Sequence, residues 1–234
     1  MQHDFVTRKK WLEARRAHLK DEKAFTQARD ALSARRRALP WLRIDKPYAF
    51  QTGDGEQSLS NLFGPHSQLI VSHFMFGPDW EQGCPSCSFW ADGYNGIDIH
   101  LAHRDTAFVA VSNTSLDKIE SYRARMGWTF RWVSSLGSDF NRDFHVSFTA
   151  DEIAFGKVDY NYVKSKFPVT EAPGISVFHK PDTNTIVHTY STYARGLDML
   201  NPAYHLMDLL PKGRDEDTLD FLMAWLRRHD QYDD

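Results

Sequence analysis

The chain has 234 residues, is 41% hydrophobic and 14% aromatic, and carries a formal net charge of −3 with only two cysteines. Its sixteen Phe and seven Trp argue against disorder, and it contains no run of 18 apolar residues that could cross a membrane. Two cysteines exclude a scaffold held together by disulfides, and the near-neutral charge gives no electrostatic case for nucleic-acid binding.

The N-terminal segment differs in charge from the rest of the chain. Residues 1–39 hold eleven Lys and Arg against five Asp and Glu, a formal +6, which leaves −9 on the remainder. No Gly or Pro occurs before Pro40, and apolar residues recur every six or seven positions, so we predict a long helix with one narrow apolar stripe. We expect the stripe to dock on the protein's own domain or on a second copy as a homodimer, rather than on a membrane or nucleic acid.

The remaining chain is predicted to form one domain. We assign residues 1–55 to the helical arm and a linker that contains Pro47 and a Gly-Asp-Gly turn, and residues 56–234 to the domain. No apolar stretch typical of a signal peptide follows the basic residues, which predicts a cytoplasmic protein without a membrane anchor.

The first half of the domain alternates strands and helices. Buried strands are predicted at Leu69–Phe76 and Thr106–Val111, and a third strand with alternating apolar residues at Thr129–Val133. Helices are predicted between them, over Ser88–His103 and from Ser115 to Gly127. This order favours parallel pairing with right-handed crossovers, and therefore an α/β sheet.

The second half is less regular. We predict one strand near Phe144–Phe148 and a hairpin of Ile175–Phe178 with Ile186–Tyr190 around a polar turn. A final amphipathic helix is predicted over Thr218–His229, because its apolar residues fall on one helical face.

Both cysteines lie in one Cys-Pro-Ser-Cys turn, Cys84 to Cys87, between a buried strand and a helix. The first turn of a helix offers free N–H groups and the positive end of the helix dipole, which stabilise a thiolate at Cys84. Pro85 suits the first helical turn because its missing N–H would have no partner there. This arrangement favours thiol–disulfide exchange, with Cys84 attacking and Cys87 resolving the mixed disulfide.

Two other interpretations of the pair remain open. His100 and His103 follow at a spacing close to that of a structural zinc site, so the four residues could hold zinc in a binding module. The cysteines could also be two inert buried thiols. The helical pattern between Cys87 and His100 favours the redox interpretation over zinc, and a Cys-Pro-Ser-Cys turn is seldom selected for packing alone, which favours it over inert thiols.

The fragment HFMFGPDWEQGCPSCSFW, residues 73–90, resembles a bacterial family of thioredoxin-like proteins described as predicted dithiol-disulfide oxidoreductases or as a domain of unknown function with a CPSC motif. The resemblance extends over nearly the whole chain, through WLEAR (11–15), LPW (39–41), YSTYARGLD (190–198), GRDE (213–216) and RRHD (227–230). It implies a thioredoxin-like three-layer α/β sandwich with a long N-terminal helical extension and a C-terminal helix.

The resemblance also implies roles for individual residues. It makes Cys84 the nucleophile and Cys87 the resolving thiol, and it makes Pro173 the candidate for the cis proline that faces the active site of that fold. Thioredoxins place Trp directly before the first cysteine, whereas Gly83 stands there in this chain and Trp80 lies four residues before Cys84.

Several polar residues could support this chemistry. Asp79 and Glu81 could shuttle a proton, although solvated loop charges are the simpler interpretation. His73 within the buried strand is expected to be a satisfied core residue rather than a base. Arg195 either binds an anionic substrate or steadies a thiolate, or it hydrogen-bonds carbonyls of the C-terminal region.

The sequence therefore predicts an enzyme, a dithiol-disulfide oxidoreductase that needs no dissociable cofactor. Its partner would be a disulfide or thiol on a protein or a small molecule, and neither nucleic acid nor a membrane is expected. A zinc-binding module and a thiol peroxidase that reduces peroxide at Cys84 with assistance from Arg195 are the alternatives.

Overall fold

A computed structural model describes residues 4–232 and divides the chain after Pro40 into two compact units. The first unit contains one helix, α1 (Arg8–Arg37), as predicted. The side chain of Thr7 caps its start by accepting a hydrogen bond from the amide of Lys10. Arg35, Arg36 and Arg37 occupy its last turn, where cations suit the negative end of the helix dipole. The homodimer through this helix stays a prediction.

Residues 41–55, which we assigned to a linker, belong instead to the second unit and to its sheet. The structure therefore moves the boundary from 55/56 to Pro40. Short strands near a Gly-Asp-Gly turn carry too little apolar pattern to be recognised in the sequence alone. Between residues 4 and 232, no helix is long and apolar enough to span a membrane.

The second unit is built from short strands and helices. Its strands are β1 (Leu42–Arg43), β2 (Ala49–Thr52), β3 (Gly55–Ser58), β4 (Gln68–His73), β5 (Thr106–Ser112), β6 (Arg131–Ser134), β7 (Val158–Tyr160), β8 (Val163–Ser165), β9 (Gly174–His179) and β10 (Val187–Tyr193). Its helices are α2 (Leu59–Leu62), α3 (Pro85–Asp92), α4 (Ile97–Ala102), α5 (Leu116–Arg125), α6 (Phe140–Asp143), α7 (Ala150–Ala154), a 3₁₀ helix (Ala194–Leu200) and α8 (Pro202–Met207).

One mixed sheet organises this unit. Its strand order is β1-β10-β9-β4-β5-β6-β2-β3, with β4, β5 and β6 mutually parallel and β9 antiparallel to β4. The parallel strand–helix–strand order predicted for residues 69–133 is therefore confirmed, and so is the hairpin, formed by β9 and β10. Strands β7 and β8 form a separate hairpin.

Helices cover both faces of the sheet. On one face, α2 and α6 contribute Leu62 and Phe140 to a core with Val71 and Val109 of the central strands. On the other face, α3 and α5 pack on the sheet through aromatic-rich contacts, whose buried members include Ala91, Ile119, Tyr122, Phe74 and Trp132. The predicted three-layer, thioredoxin-like α/β architecture with its N-terminal helix is confirmed.

The helix predicted over Ser88–His103 is broken in two. Helix α3 ends at Asp92, and α4 begins only at Ile97. Gly96 between them has φ +84°, a left-handed conformation that interrupts a right-handed helix.

The final helix predicted over Thr218–His229 is wrong, because that segment runs as a series of turns. Met223 lies at φ +67°, which no α-helical residue adopts. The carboxylate of Glu216 accepts hydrogen bonds from the Met223 amide and the Trp225 indole. The buried Glu216 side chain thus accepts a backbone hydrogen bond that a helical carbonyl would otherwise have accepted. The apolar periodicity of the sequence could not reveal this.

Two further predictions fail in detail. The strand expected near Phe144–Phe148 is reduced to an isolated bridge between Ser147 and Glu171. Within residues 4–232 all peptide bonds are trans, so Pro173 is not the cis proline that the resemblance implied. Trans is the intrinsic preference of an X–Pro bond, and Pro173 still directly precedes β9.

Candidate functional site

The cysteine turn lies at the amino end of α3, where the sequence placed it. Cys84 is the N-cap residue and Pro85 the first residue of the helix. The amide of Cys84 donates a 3.0 Å hydrogen bond to the Met75 carbonyl, which ties the turn to the chain that follows β4. The Cys84 carbonyl accepts the first helical bond, 3.0 Å from the Ser88 amide. Cys84 is partly exposed at this helix end, with its side chain free of any cap bond.

The environment of Cys84 favours the thiolate. Its pKa is lowered to about 6, chiefly because the Cys87 thiol donates a hydrogen bond to its sulfur, against the opposing effect of burial. The backbone N–H groups of Cys87 and Ser86 stabilise the same charge, as expected at a helix amino end. At pH 7 about nine-tenths of a group with this pKa is ionised.

Cys87 has the opposite character. It is buried, and its pKa is raised because its proton is held in the hydrogen bond to Cys84 and because burial disfavours a second charge. The Met75 amide donates to its sulfur at 3.4 Å. Both residues are free thiols in this structure. The pair therefore combines a partly exposed thiolate with a buried thiol that retains its proton.

A largely apolar cavity of about 260 Å³ borders Cys87. It lies between α3, the end of β4, the start of β9 and the 3₁₀ helix. Pro173 and Arg195, two of the residues singled out in the sequence, line it together with Ser86 and Cys87. Its other lining residues are Ser72, His73, Phe74, Met75, Trp90, Tyr94, Gly174, Ala194, Leu197, Asp198 and Met223.

Arg195 lies at the edge of this cavity rather than against the thiols. Its guanidinium forms a 2.8 Å ion pair with Asp198, and its side chain is 74% exposed. Asp198 is shared with Arg214 at 3.1 Å. Trp80 lies outside the cavity, where its carbonyl accepts a hydrogen bond from Lys118 at 3.1 Å.

The expectation that His73 is a core residue agrees with its surroundings. Its Nε2 lies 2.8 Å from the Ser176 hydroxyl, and its ring stacks on Phe140 and Phe144, on the sheet face opposite α3. Burial, and secondarily the charge of His188, lowers its pKa to about 3, so the ring is neutral. Its Nδ1 is buried without a hydrogen-bond partner among the described residues.

No support for the zinc alternative emerges from the geometry. Within the described part of the chain, no three His, Cys, Asp or Glu side chains are grouped closely enough to hold a metal ion. His100 is exposed near the end of α4 and His103 follows that helix, so the break at Gly96 separates both residues from α3.

One buried carboxyl group near the site was missed in the sequence. Glu171 is 2% exposed and accepts hydrogen bonds from Asn113 at 3.0 Å and from Ser147 at 2.6 Å. Burial raises its pKa to about 7. A Cβ on Gly77, in the loop that leads to Cys84, would lie 3.4 Å from Glu171 Cγ. A lone Glu in an irregular segment gives no sequence signal of burial.

A second missed group is Arg228, on the C-terminal segment. Its guanidinium contacts the carbonyl of Gly83, 2.7 Å from Nη2, and the hydroxyl of Tyr122, 2.9 Å from Nε. Because the segment was expected to be a helix and Gly83 lies 145 positions earlier in the chain, only the folded chain reveals these contacts.

The chain belongs to the family described as bacterial protein of unknown function (DUF899), whose model matches residues 1–232. No curated protein matches it.

Solved structures resemble it more distantly. They include PrxQ of Xylella fastidiosa (14% identity, TM-score 0.42, covering 69% of this chain and 89% of that one) and peroxidoxin BcpB of Mycobacterium tuberculosis (13%, 0.45, 67% and 89%). Another is a secreted Mycobacterium tuberculosis disulfide oxidoreductase homologous to E. coli DsbE (13%, 0.37, 66% and 91%).

Proposed function

We propose that this protein is a dithiol-disulfide oxidoreductase in which Cys84 is the nucleophile and Cys87 the resolving thiol. The observation that carries the proposal is that the two thiols of the pair differ in acidity. Cys84 has a pKa lowered to about 6 at the amino end of α3, and Cys87 beside it keeps its proton. Attack on a substrate disulfide needs a thiolate, which Cys84 supplies. The later attack that resolves the mixed disulfide needs a thiol that stays protonated until then, which Cys87 supplies.

The reaction runs in two exchange steps. The Cys84 thiolate attacks one sulfur of a substrate disulfide, the substrate S–S bond breaks, and one substrate thiolate leaves. Cys87 then gives up its proton to the departing sulfur and attacks Cys84, which releases the second substrate thiol. Two electrons pass from the dithiol to the substrate, and the protein is left with a Cys84–Cys87 disulfide. In the reverse direction the same steps oxidise a substrate dithiol.

Access to the two sulfurs supports this order of attack. Cys84 is partly exposed, whereas Cys87 is 8% exposed and is approached from the apolar cavity. An incoming disulfide on a protein or a small molecule therefore reaches Cys84 first. Neither step requires a metal or a dissociable cofactor.

The decisive test is a redox titration in which free thiols are counted by mass-tagging at each potential. We expect both thiols to disappear together in one two-electron transition, and Cys87→Ser to trap a mixed disulfide on Cys84. The proposal fails if both thiols stay free across the physiological range of potentials, or if Cys84→Ser keeps full disulfide turnover. Rapid consumption of one equivalent of peroxide, without disulfide turnover, would favour a thiol peroxidase instead.

A further inference from the structure

The C-terminal segment is tied to the loop that carries the nucleophile. Arg228 donates two hydrogen bonds to the Gly83 carbonyl, 2.7 Å from Nη2 and 3.2 Å from Nε. Gly83 is buried and directly precedes Cys84. A buried carbonyl needs a partner, and here a cation 145 positions later in the chain supplies it.

A second route leads from Arg228 to the other side of the nucleophile. Its Nε donates to the Tyr122 hydroxyl at 2.9 Å, and that hydroxyl lies 2.9 Å from the Ser88 hydroxyl. Ser88, which is fully buried, donates in turn to the Cys84 carbonyl at 2.9 Å. Arg228 thus holds the carbonyl before Cys84 directly and the carbonyl of Cys84 itself through two hydroxyl groups.

The loop is also packed closely against aromatic rings. A Cβ on Gly83 would lie 2.6 Å from Phe74 Cε1 and 2.9 Å from Tyr122 Cε1, so the backbone there presses against aromatic rings. Next to it, Gln82 accepts a 2.8 Å hydrogen bond from Arg125, whose guanidinium also pairs with Asp230 of the C-terminal segment. Two cations therefore join the loop at residues 82–83 to the segment at 228–230.

We propose that Arg228 is a positioning residue for Cys84: by fixing the carbonyls on either side of the nucleophile, it keeps the Cys84 sulfur at the amino end of α3. The proposal rests on the proposed function for its biological meaning, although the geometry concerns only the state of one thiol. Arg228 touches backbone and a hydroxyl rather than the reacting sulfur, so its effect is transmitted through the loop.

The effect follows from how a helix end stabilises a thiolate. The N–H groups of Ser86 and Cys87 and the Cys87 thiol act only while the sulfur stays within hydrogen-bonding reach. If the Gly83 carbonyl loses its partner, the loop must rotate to find water, and the sulfur moves with it. The groups that act on the Cys84 sulfur are the Cys87 thiol and the N–H groups of Cys87 and Ser86 on α3, whereas Arg228 contacts the Gly83 carbonyl and the Tyr122 hydroxyl.

The test uses alkylation of Cys84 by iodoacetamide as a function of pH in the full chain. In Arg228→Gln we expect the midpoint of the profile to rise by about one pH unit from about 6, which lowers the thiolate fraction, and with it the alkylation rate at pH 6.5, about threefold. Arg228→Lys should recover part of the loss, because it keeps the charge but lacks the rigid fork with which Nη2 and Nε contact two acceptors.

Arg227→Gln is the matched control. Among residues 4–232, the hydrogen bonds of the neighbouring guanidinium go to the carbonyls of Ala224 and Leu226 in its own segment, so its loss should leave the profile unchanged. Tyr122→Phe cuts the second route while keeping the Arg228–Gly83 contact, and it should give a smaller shift in the same direction. If Arg228→Gln does not fold, Tyr122→Phe is the variant that tests the proposal.

An unchanged midpoint in a folded Arg228→Gln, or an equal shift in Arg227→Gln, overturns the proposal. A loss of thermal stability without a shift assigns Arg228 a structural role only. Alkylation reports on the Cys84 thiolate whether or not the pair turns over disulfides. A failed redox titration with a shifted Arg228→Gln profile would therefore reject the proposed function and keep this inference.

Discussion

The amide of Met75 donates a 3.4 Å hydrogen bond to the sulfur of Cys87. Met75, the second residue after β4, thus holds the buried thiol, and its own carbonyl accepts the amide of Cys84 at 3.0 Å. One residue thereby fixes both cysteines relative to the central strand. Because Cys87 cannot turn away from this contact freely, its proton stays directed at Cys84, which is the largest cause of the lowered Cys84 pKa.

Removing the Cys87 thiol should therefore make Cys84 less acidic. In Cys87→Ala we expect the pKa of Cys84 to rise from about 6 towards the ordinary value of a cysteine, with a matching loss of alkylation rate at neutral pH. Thiolate absorbance near 240 nm measures the titration. Ser86→Ala removes only a minor contact and should shift the curve less. Equal curves for wild type and Cys87→Ala would show that the helix end alone stabilises the thiolate.

Glu171 should make stability depend on pH in the unusual direction for a carboxylate. Burial raises its folded-state pKa to about 7, above the ordinary 4.5 of an unfolded chain. Between these values the native state binds more protons than the unfolded state, so stability is fully present below pH 4.5 and is lost as pH rises through 7. The contribution is on the order of 3 kcal/mol at most.

Glu171→Gln isolates this effect because an amide resembles the protonated acid in shape and can satisfy Asn113 and Ser147. We expect the variant to be more stable than wild type at pH 8 and to lose the dependence between pH 5 and 8, as measured by urea unfolding. Asp159→Asn, on an exposed position of β7, is the control and should follow the wild type. If the stability of Glu171→Gln still fell with pH as steeply as that of the wild type, Glu171 would be excluded as the cause of the pH dependence.

Gly83 should tolerate no side chain, although its neighbour loop residues are exposed. The methyl group of Gly83→Ala would enter the space of Phe74 and Tyr122 at 2.6–2.9 Å, which forces the loop to move. Overpacking of this kind costs about 1–3 kcal/mol. We expect lower stability in urea and slower alkylation of Cys84 in the same variant.

Gly53→Ala is the matched control, since nothing lies within 4 Å of the added atom. It should leave both measurements close to wild type. If Gly83→Ala were as stable and as reactive as Gly53→Ala, the close packing of this loop would have no consequence for the site.

Glu216 should hold the C-terminal segment in place. One of its oxygens accepts hydrogen bonds from Tyr204 at 2.8 Å, the Met223 amide at 3.1 Å and the Trp225 indole at 2.7 Å. Glu216→Ala leaves these donors without a partner, at a cost of about 1–3 kcal/mol for a buried group. We expect faster amide hydrogen exchange over residues 216–228, measured by mass spectrometry.

Asp217→Ala changes the exposed neighbour and should not alter exchange in the segment. Slow exchange in Glu216→Ala would mean that the segment is held by its other contacts, among them the 2.7 Å pair of His229 with Asp92.

The sequence by itself determined the long basic helix, the parallel strands on either side of the cysteine turn, the β9–β10 hairpin and the position of Cys84 at a helix start. These features depend on contacts between residues that are close in the chain: periodic apolar positions, a proline in the first helical turn, and glycines that end a helix. Local patterns of this kind are the same whatever the rest of the chain does.

Only the tertiary structure decided what surrounds the thiolate. The contact of Glu171 with Asn113 and that of Arg228 with Gly83 join positions 58 and 145 residues apart in the chain. The turns over residues 218–229 are held by hydrogen bonds from the Met223 amide and the Trp225 indole to the buried Glu216 carboxylate. Such contacts leave no periodic trace in the sequence. The sequence is enough to identify the two cysteines as the reacting residues. The groups that hold them in place come from distant segments, which only the fold brings to the amino end of α3.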